Sequence, residues 1–335
     1  MAKVSRLVKW AGPYGLYALA RFLCRRQPRI LMYHRFSESP RKGFASREVF
    51  REQVAHIKRH YQPMTLRDLS YALFEEGRVP KHAIVLTIDD GYRDFYDIAY
   101  PILQEYEVPA TFFVTTGFIN GDLWLWHDHI EWLLDQVEMI ERPFSVGEVT
   151  FEEGTLSAER KRSYWRQLSS FLLRIYDCDK HRHIAELGEI LGVALPAKAP
   201  DAYQACSWGQ LREMEANCIE IGGHTVTHPS LGKVSTERAR LEIHDSMSSL
   251  TDNLGFMPRS FCYPNGQSGD YSIECMSFAE DAGYVSATVA FQDGVGTKDR
   301  YALRRHSAGD GPVQFAKAVS GLQFLGKRLS RVSSV

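Results

Sequence analysis

Short apolar runs of β-type residues, each closed by a polar or glycine-bearing tip, recur along the chain. They fall at 29–33, 84–88, 110–114, 219–222, 260–263, 284–288 and 301–303, and predict seven strands. Helical periodicity fills several of the gaps. In 46–60, Val49, Phe50, Val54 and Ile57 share one face and Ser46 is placed to cap it; 92–106 and 236–254 read the same way. Strands alternating with helices predict a parallel sheet. Seven strands with polar residues gathered at their C-terminal tips suit a (β/α) barrel, whose chemistry collects on that face.

One stretch exceeds a simple crossover. Residues 120–207 hold no strand the barrel needs, and 159–175 and 181–191 read as helices, so the segment is expected to be a helical insertion within one domain. It opens with Trp124-Leu125-Trp126-His127-Asp128-His129, which mixes aromatic and polar side chains. The expected organisation is an N-terminal basic and aromatic segment at 1–28, a catalytic domain at 29–325 and a flexible tail at 326–335. In the first of these, Lys3, Arg6 and Lys9 precede an apolar stretch too short to span a bilayer. A cleaved signal is the less favoured reading. Contact with the inner face of a membrane and simple packing on the domain both stay open.

Charge is balanced, with 40 Lys and Arg against 41 Asp and Glu, which excludes bulk attraction to nucleic acid. The six cysteines, at 24, 178, 206, 218, 262 and 275, have no paired spacing and read as reduced thiols, which favours a cytoplasmic setting.

The candidate chemistry lies at two strand tips. The run at 84–88 ends in Asp89-Asp90-Gly91, where two like charges repel unless a cation waits for them. The run at 219–222 leads into His224 and His228, a spacing that puts both rings on one face of a helical turn. One Asp and two His give three ligands and an open position for water, the donor set of a catalytic zinc-type site. His56 and His60 show the same spacing, but no strand tip precedes them, so they read as a solvated helix face.

Taken together, Thr87-Ile88-Asp89-Asp90-Gly91, the His224 to Pro229 stretch and Phe261-Cys262-Tyr263-Pro264-Asn265-Gly266 resemble the three ordered motifs of the polysaccharide deacetylases. That is the NodB-homology class, or carbohydrate esterase family 4, in its Phe-x-Tyr-Pro-x-Gly branch, with Ile88 where Phe is usual. The resemblance runs from about residue 30 to 308. It implies an irregular seven-stranded barrel and a divalent metal, zinc first and cobalt, nickel or manganese as alternatives, held by Asp90, His224 and His228. It further implies Asp89 as general base, the Tyr263 amide as oxyanion donor and His306, beside a Leu303-Arg304-Arg305 run, as general acid. Tyr92, Trp126 and Pro264 are expected to face substrate, and His34 and Arg259 to support the site from behind. Arg259 does not have the usual spacing for an arginine orienting the base; in this branch such a residue often falls near Arg305.

The implied activity is hydrolysis of an N-acyl group from an amino sugar of a polysaccharide, a lipopolysaccharide or a lipid- or nucleotide-linked precursor. The setting expected for it is cytoplasmic, with peripheral contact at the inner membrane face. An O-acetyl sugar esterase using the same site, and a catalytically silent carbohydrate-binding relative, remain as alternatives.

Overall fold

The computed structural model describes residues 15–290, 298–309 and 311–322. The tail at 326–335 and the first half of the N-terminal segment lie outside the described residues. Eight strands form the main sheet. They are β1 (Arg29–Tyr33), β2 (Ala83–Ile88), β3 (Ala110–Val114), β4 (Ile219–Gly223), β5 (Ser260–Cys262), β6 (Ser286–Val289), β7 (Leu303–Arg304) and β8 (His306–Ser307). Their spatial order is β7-β6-β5-β4-β3-β2-β1-β8, and every pairing is parallel. A two-residue strand, Gln62–Pro63, adds to β2. Because helices cover the outside and side chains fill the inside, β2 and β3 are buried at every position, which is why they read as unbroken apolar runs.

The two edges of this sheet are consecutive in the chain. β7 pairs with β6 through Thr288–Leu303 and Val289–Arg304, and β8 pairs with β1 through Leu31–His306 and Met32–Ser307. The last strand is thus split at Arg305, half on each edge, and nearly closes the sheet into a barrel. The sequence pattern anticipates the first half; the second, only two residues long, is a strand solely because β1 is there to pair with it.

Five helices matter below: α1 (Arg47–His60), α2 (Trp126–Asp135), α3 (Ala158–Leu172), α4 (Asp177–Leu191) and α5 (Thr236–Leu254). The Ser46 side chain caps α1 by accepting from the Val49 amide. Over 92–106 the backbone departs from a simple helix. A π-helical turn at Phe95–Ala99 runs into a helix at Tyr100–Tyr106. Pro101 brings no N–H, so the Asp97 carbonyl lacks its i+4 partner and instead accepts from Arg47 Nη2 at 3.3 Å.

The long segment between β3 and β4 has its own apolar cluster. Ile130, Leu133 and Leu134 of α2 pack with Leu168 and Leu172 of α3 and Ile184 and Leu187 of α4. An antiparallel hairpin, Phe144–Val146 with Val149–Phe151, completes it and is not anticipated by a purely helical reading. At the opposite pole, the helix Leu16–Leu23 leaves Leu19, Phe22 and Leu23 exposed, and the carbonyl of Arg25 accepts from the amide of His82, just before β2 begins. This helix therefore sits at the N-terminal ends of the strands. No described helix is long and apolar enough to cross a membrane.

Candidate active site

The strand tips converge as their order requires: His34 follows β1, Asp89 and Asp90 follow β2, and His224 follows β4. Asp90 Oδ1 lies 3.5 Å from His224 Nε2 and 3.2 Å from His228 Nε2, and all three residues are buried. Burial raises the Asp90 carboxyl, but hydrogen bonds from the two imidazoles outweigh it and hold the group well below the usual carboxylate range. His224 Nδ1 lies 2.7 Å from the Cys262 carbonyl. A carbonyl only accepts, so Nδ1 carries a proton, and Nε2 is the ring atom that faces Asp90.

The two histidines do not sit on a helical turn, contrary to the spacing argument. They lie on a loop in which Thr225 (φ 68°) and His228 (φ 58°) adopt left-handed backbone, as does Asp90 (φ 82°). What holds the loop is a residue from elsewhere. The Val226 and Thr227 amides both donate to Oε2 of the buried Glu242 on α5, at 2.8 Å each, and the Thr227 hydroxyl donates to Oε1 at 2.6 Å. Arg238 balances that carboxylate with Nε at 2.9 Å and Nη2 at 2.6 Å. On the other side the Gly117 amide donates to Val226 O, an approach that any side chain at 117 would block, since a Cβ there would lie 2.6 Å from the same oxygen. Glu242→Ala leaves two loop amides without their acceptor. It should cost about 2–5 kcal/mol in chemical denaturation, and lower metal affinity about 10–100-fold by competition with a chromophoric chelator.

Asp89 faces the buried guanidinium of Arg305 in a two-point ion pair, Nη1–Oδ1 2.6 Å and Nη2–Oδ2 2.7 Å. Nη1 also donates to Thr87 Oγ1 at 3.0 Å. Burial pushes Asp89 up; the Arg305 charge and hydrogen bonds pull it further down, and the net shift is downward. His34 Nε2 stands 3.7 Å from Asp89 Oδ2, at the solvent side. Arg259 is not brought to this cluster. It precedes β5, where its carbonyl accepts from the Val285 amide, far down the strand from the tip.

A cavity of about 820 Å³ opens over Asp89, Asp90, His224 and His228 and extends to the segment carrying α2 and α3. Tyr92 and Trp126 line it, as does Arg305. Three expected residues do not. The Tyr263 amide is engaged in the sheet ladder, donating to Thr288 O at 3.3 Å, and its ring stacks on Tyr271 in a core cluster, so the oxyanion role expected of it has no free donor there. Pro264 is buried and is not among the lining residues, while Asn265 and Gln267 line the cavity. His306, at the start of β8, is buried and is not among the lining residues.

The structure adds groups that the motifs do not contain. The Tyr92 hydroxyl is 2.6 Å from Asp128 Oδ2 and 2.9 Å from His127 Nε2. Arg35 lies over the Tyr92 ring at 3.8 Å and is anchored to Asp94 at 2.6 Å. The dense Trp124–His129 run is the one sequence signal that points to them.

The family model for polysaccharide deacetylase matches residues 76–287. The protein YxkH of Bacillus subtilis (strain 168) is 25% identical over 302 residues, 88% of this chain and 74% of that protein. A poly-beta-1,6-N-acetyl-D-glucosamine N-deacetylase of Staphylococcus aureus (strain MSSA476) is 35% identical over 78 residues, 23% of this chain and 27% of its own length. Among solved structures, the Streptococcus pyogenes deacetylase PplD in complex with acetate superposes with a TM-score of 0.55 at 19% identity, covering 84% of this chain and 92% of that one, which shows a shared fold.

Proposed function

Because the chain belongs to the polysaccharide deacetylase family, we propose that it is a metal-dependent hydrolase that removes the N-acetyl group from an amino sugar within a glycan. The observation that carries this reading is the buried Asp90–His224–His228 cluster with the Asp89–Arg305 pair beside it on one cavity floor. The donor set fits a divalent ion. One carboxylate oxygen and two imidazole nitrogens lie within 4.8 Å of one another, and with Nδ1 of His224 committed to the Cys262 carbonyl, Nε2 is its atom available to an ion. A zinc-type ion bound there supplies Lewis-acid polarisation of the acyl carbonyl and lowers the pKa of a water from about 16 to about 7.

The chain's own residues do the rest. Asp89, ionised and fixed by Arg305, accepts the proton of the attacking water. Arg305 holds both carboxylate oxygens, so the base cannot rotate away between turnovers. Trp126 and Tyr92 wall the cavity beside the cluster and offer faces to a sugar ring. The cavity is larger than a lone acetamido group needs, which suits an oligosaccharide substrate. The partial likeness to a poly-beta-1,6-N-acetyl-D-glucosamine N-deacetylase supports an N-acetylated hexosamine as the unit cleaved.

The test is product analysis on N-acetylglucosamine oligomers with zinc-reconstituted protein. Stoichiometric acetate and primary amine are expected. Acetate with new alcohol and no amine, from O-acetylated sugars alone, would replace this reading with the esterase one.

A further inference from the structure

The pole opposite the active site carries an exposed apolar stripe. In the helix Leu16–Leu23, Leu19, Phe22 and Leu23 fall at i, i+3 and i+4, and each is more than half exposed. No other described element leaves more than one large apolar side chain exposed. Single exposed apolar residues are ordinary, but three on one helix face form a patch. The opposite face of the helix is spent on the fold. Ala20 and Cys24 are buried, Cys24 Sγ donates to the Gly321 carbonyl at 3.8 Å, and the helix Pro312–Ser320 packs alongside.

Positive charge surrounds the stripe. Arg25 and Arg26 follow it, and Arg26 is exposed. The Arg25 guanidinium lies 4.3 Å over the Phe22 ring and donates to the Phe22 carbonyl at 2.9 Å, an acceptor that leaves its charge unneutralised. The near-zero net charge of the chain hides a segregation. Residues 1–28 and 311–335, whose described parts pack together at this pole, hold ten Lys and Arg and no Asp or Glu. The rest of the chain holds 30 Lys and Arg against 41 Asp and Glu.

We propose that this face seats on an anionic phospholipid bilayer, with Leu19, Phe22 and Leu23 among the acyl chains and Arg25 and Arg26 at the headgroups. The pairing of apolar and positive character selects this occupant. A second copy of the chain would set the same positive charge against itself. The sequences at 1–14 and 323–335 are basic too, so neither would neutralise the face. Three half-exposed side chains fall far short of the about 800 Å² per partner of a stable protein interface. A bilayer needs no matching surface, and insertion of apolar side chains adds to the attraction of cations to anionic lipid.

This seating fixes which way the active site faces. The Arg25 carbonyl accepts from the amide of His82, one residue before β2, while Asp89 and Asp90 follow the other end of that strand. The six residues of β2 set the two poles about 20 Å apart. The cavity therefore opens away from the lipid. On the deacetylase reading above, the glycan enters from the far side, and the groups within reach stand off the bilayer. The seating itself does not depend on that reading.

The test is sedimentation of the full chain with phosphatidylcholine vesicles, prepared with and without phosphatidylglycerol. Binding is expected with the anionic lipid and should weaken as salt rises. A variant carrying Leu19→Ser, Phe22→Ser and Leu23→Ser, shown folded by circular dichroism, should bind at least about tenfold more weakly. All three side chains are exposed, so their loss leaves the core intact. Arg25→Gln with Arg26→Gln should weaken binding to the anionic vesicles and reduce its salt dependence. Wild type that ignores both vesicles, or binds both equally, overturns the proposal, as does a triple variant that binds unchanged. Dimerisation seen by light scattering and abolished in the triple variant, with no vesicle binding, assigns the face to a second copy and overturns it too. Wild type that binds anionic vesicles but hydrolyses no N-acetylglucosamine oligomer overturns the deacetylase reading and leaves this one standing.

Discussion

Protein reconstituted with zinc and then dialysed should retain about one ion per chain, and His224→Ala should retain none. The expectation follows from the geometry of the cluster. Three donor atoms share one buried space, and His224 is the one whose orientation is fixed from behind, by the Cys262 carbonyl at 2.7 Å. Deleting it leaves Asp90 and His228, one carboxylate oxygen and one nitrogen 3.2 Å apart, too few for a structural grip on a four-coordinate ion. The buried Cys262 carbonyl is left without its partner, at a cost of about 1–3 kcal/mol, while β4 keeps its pairing with β3 and β5. Turnover should fall to the uncatalysed background. Metal content by mass spectrometry, on samples shown folded by circular dichroism, reads the first result directly. Wild-type protein that binds no metal after reconstitution would remove the mechanism.

Much of the barrel is legible in the sequence because parallel strands are buried on both faces. The runs at 29–33 and 110–114 coincide with β1 and β3, and 84–88 falls short of β2 by one residue. What the pattern misses depends on partners distant in sequence. β8 exists only through β1, and Arg305 meets Asp89 across 216 residues. The hairpin at 144–151 is too short for its alternation to stand out from the helices around it. At the site, the Asp-Asp and His-His motifs name the cluster but not its backbone. Equal i, i+4 spacing suggests a helix, and only Pro229, which disfavours right-handed helical backbone at His228, argues against one. The role of Glu242 has no local signal at all, because a glutamate in an amphipathic helix reads as solvent-facing, and it is the fold of 224–228 over α5 that buries it. The partner of the Tyr263 amide is hidden from the sequence for a related reason. A turn signal at Pro264 suggests a free amide one residue earlier, yet the ladder to β6 extends past the end of β5 and takes that amide.

Asp89→Asn should cut turnover on N-acetyl sugars by about 10²–10⁴-fold while metal content stays at the wild-type value, because Asp90 rather than Asp89 faces the two histidines. Asparagine keeps the shape and an acceptor oxygen for Arg305 but cannot take a proton. Arg305→Met tests the same pair from the other side. It leaves a carboxylate buried without its counter-ion, a loss of about 3–5 kcal/mol. The two substitutions together should be far less destabilising than their sum, since no isolated charge then remains inside the barrel. The pH dependence carries a sign. Held below its unfolded-state value by Arg305, Asp89 contributes stability at all pH above about 4, lost only as pH falls through the depressed native value. In Arg305→Met, burial, the largest influence, raises the carboxyl and is opposed only by the neighbouring His34 and His224, so the deficit should be largest at neutral pH and shrink on acidification. Denaturant midpoints at pH 7 and pH 5 distinguish the two cases. A deficit that is the same at both would mean that Arg305 acts through packing of the split strand rather than through the charge of the base.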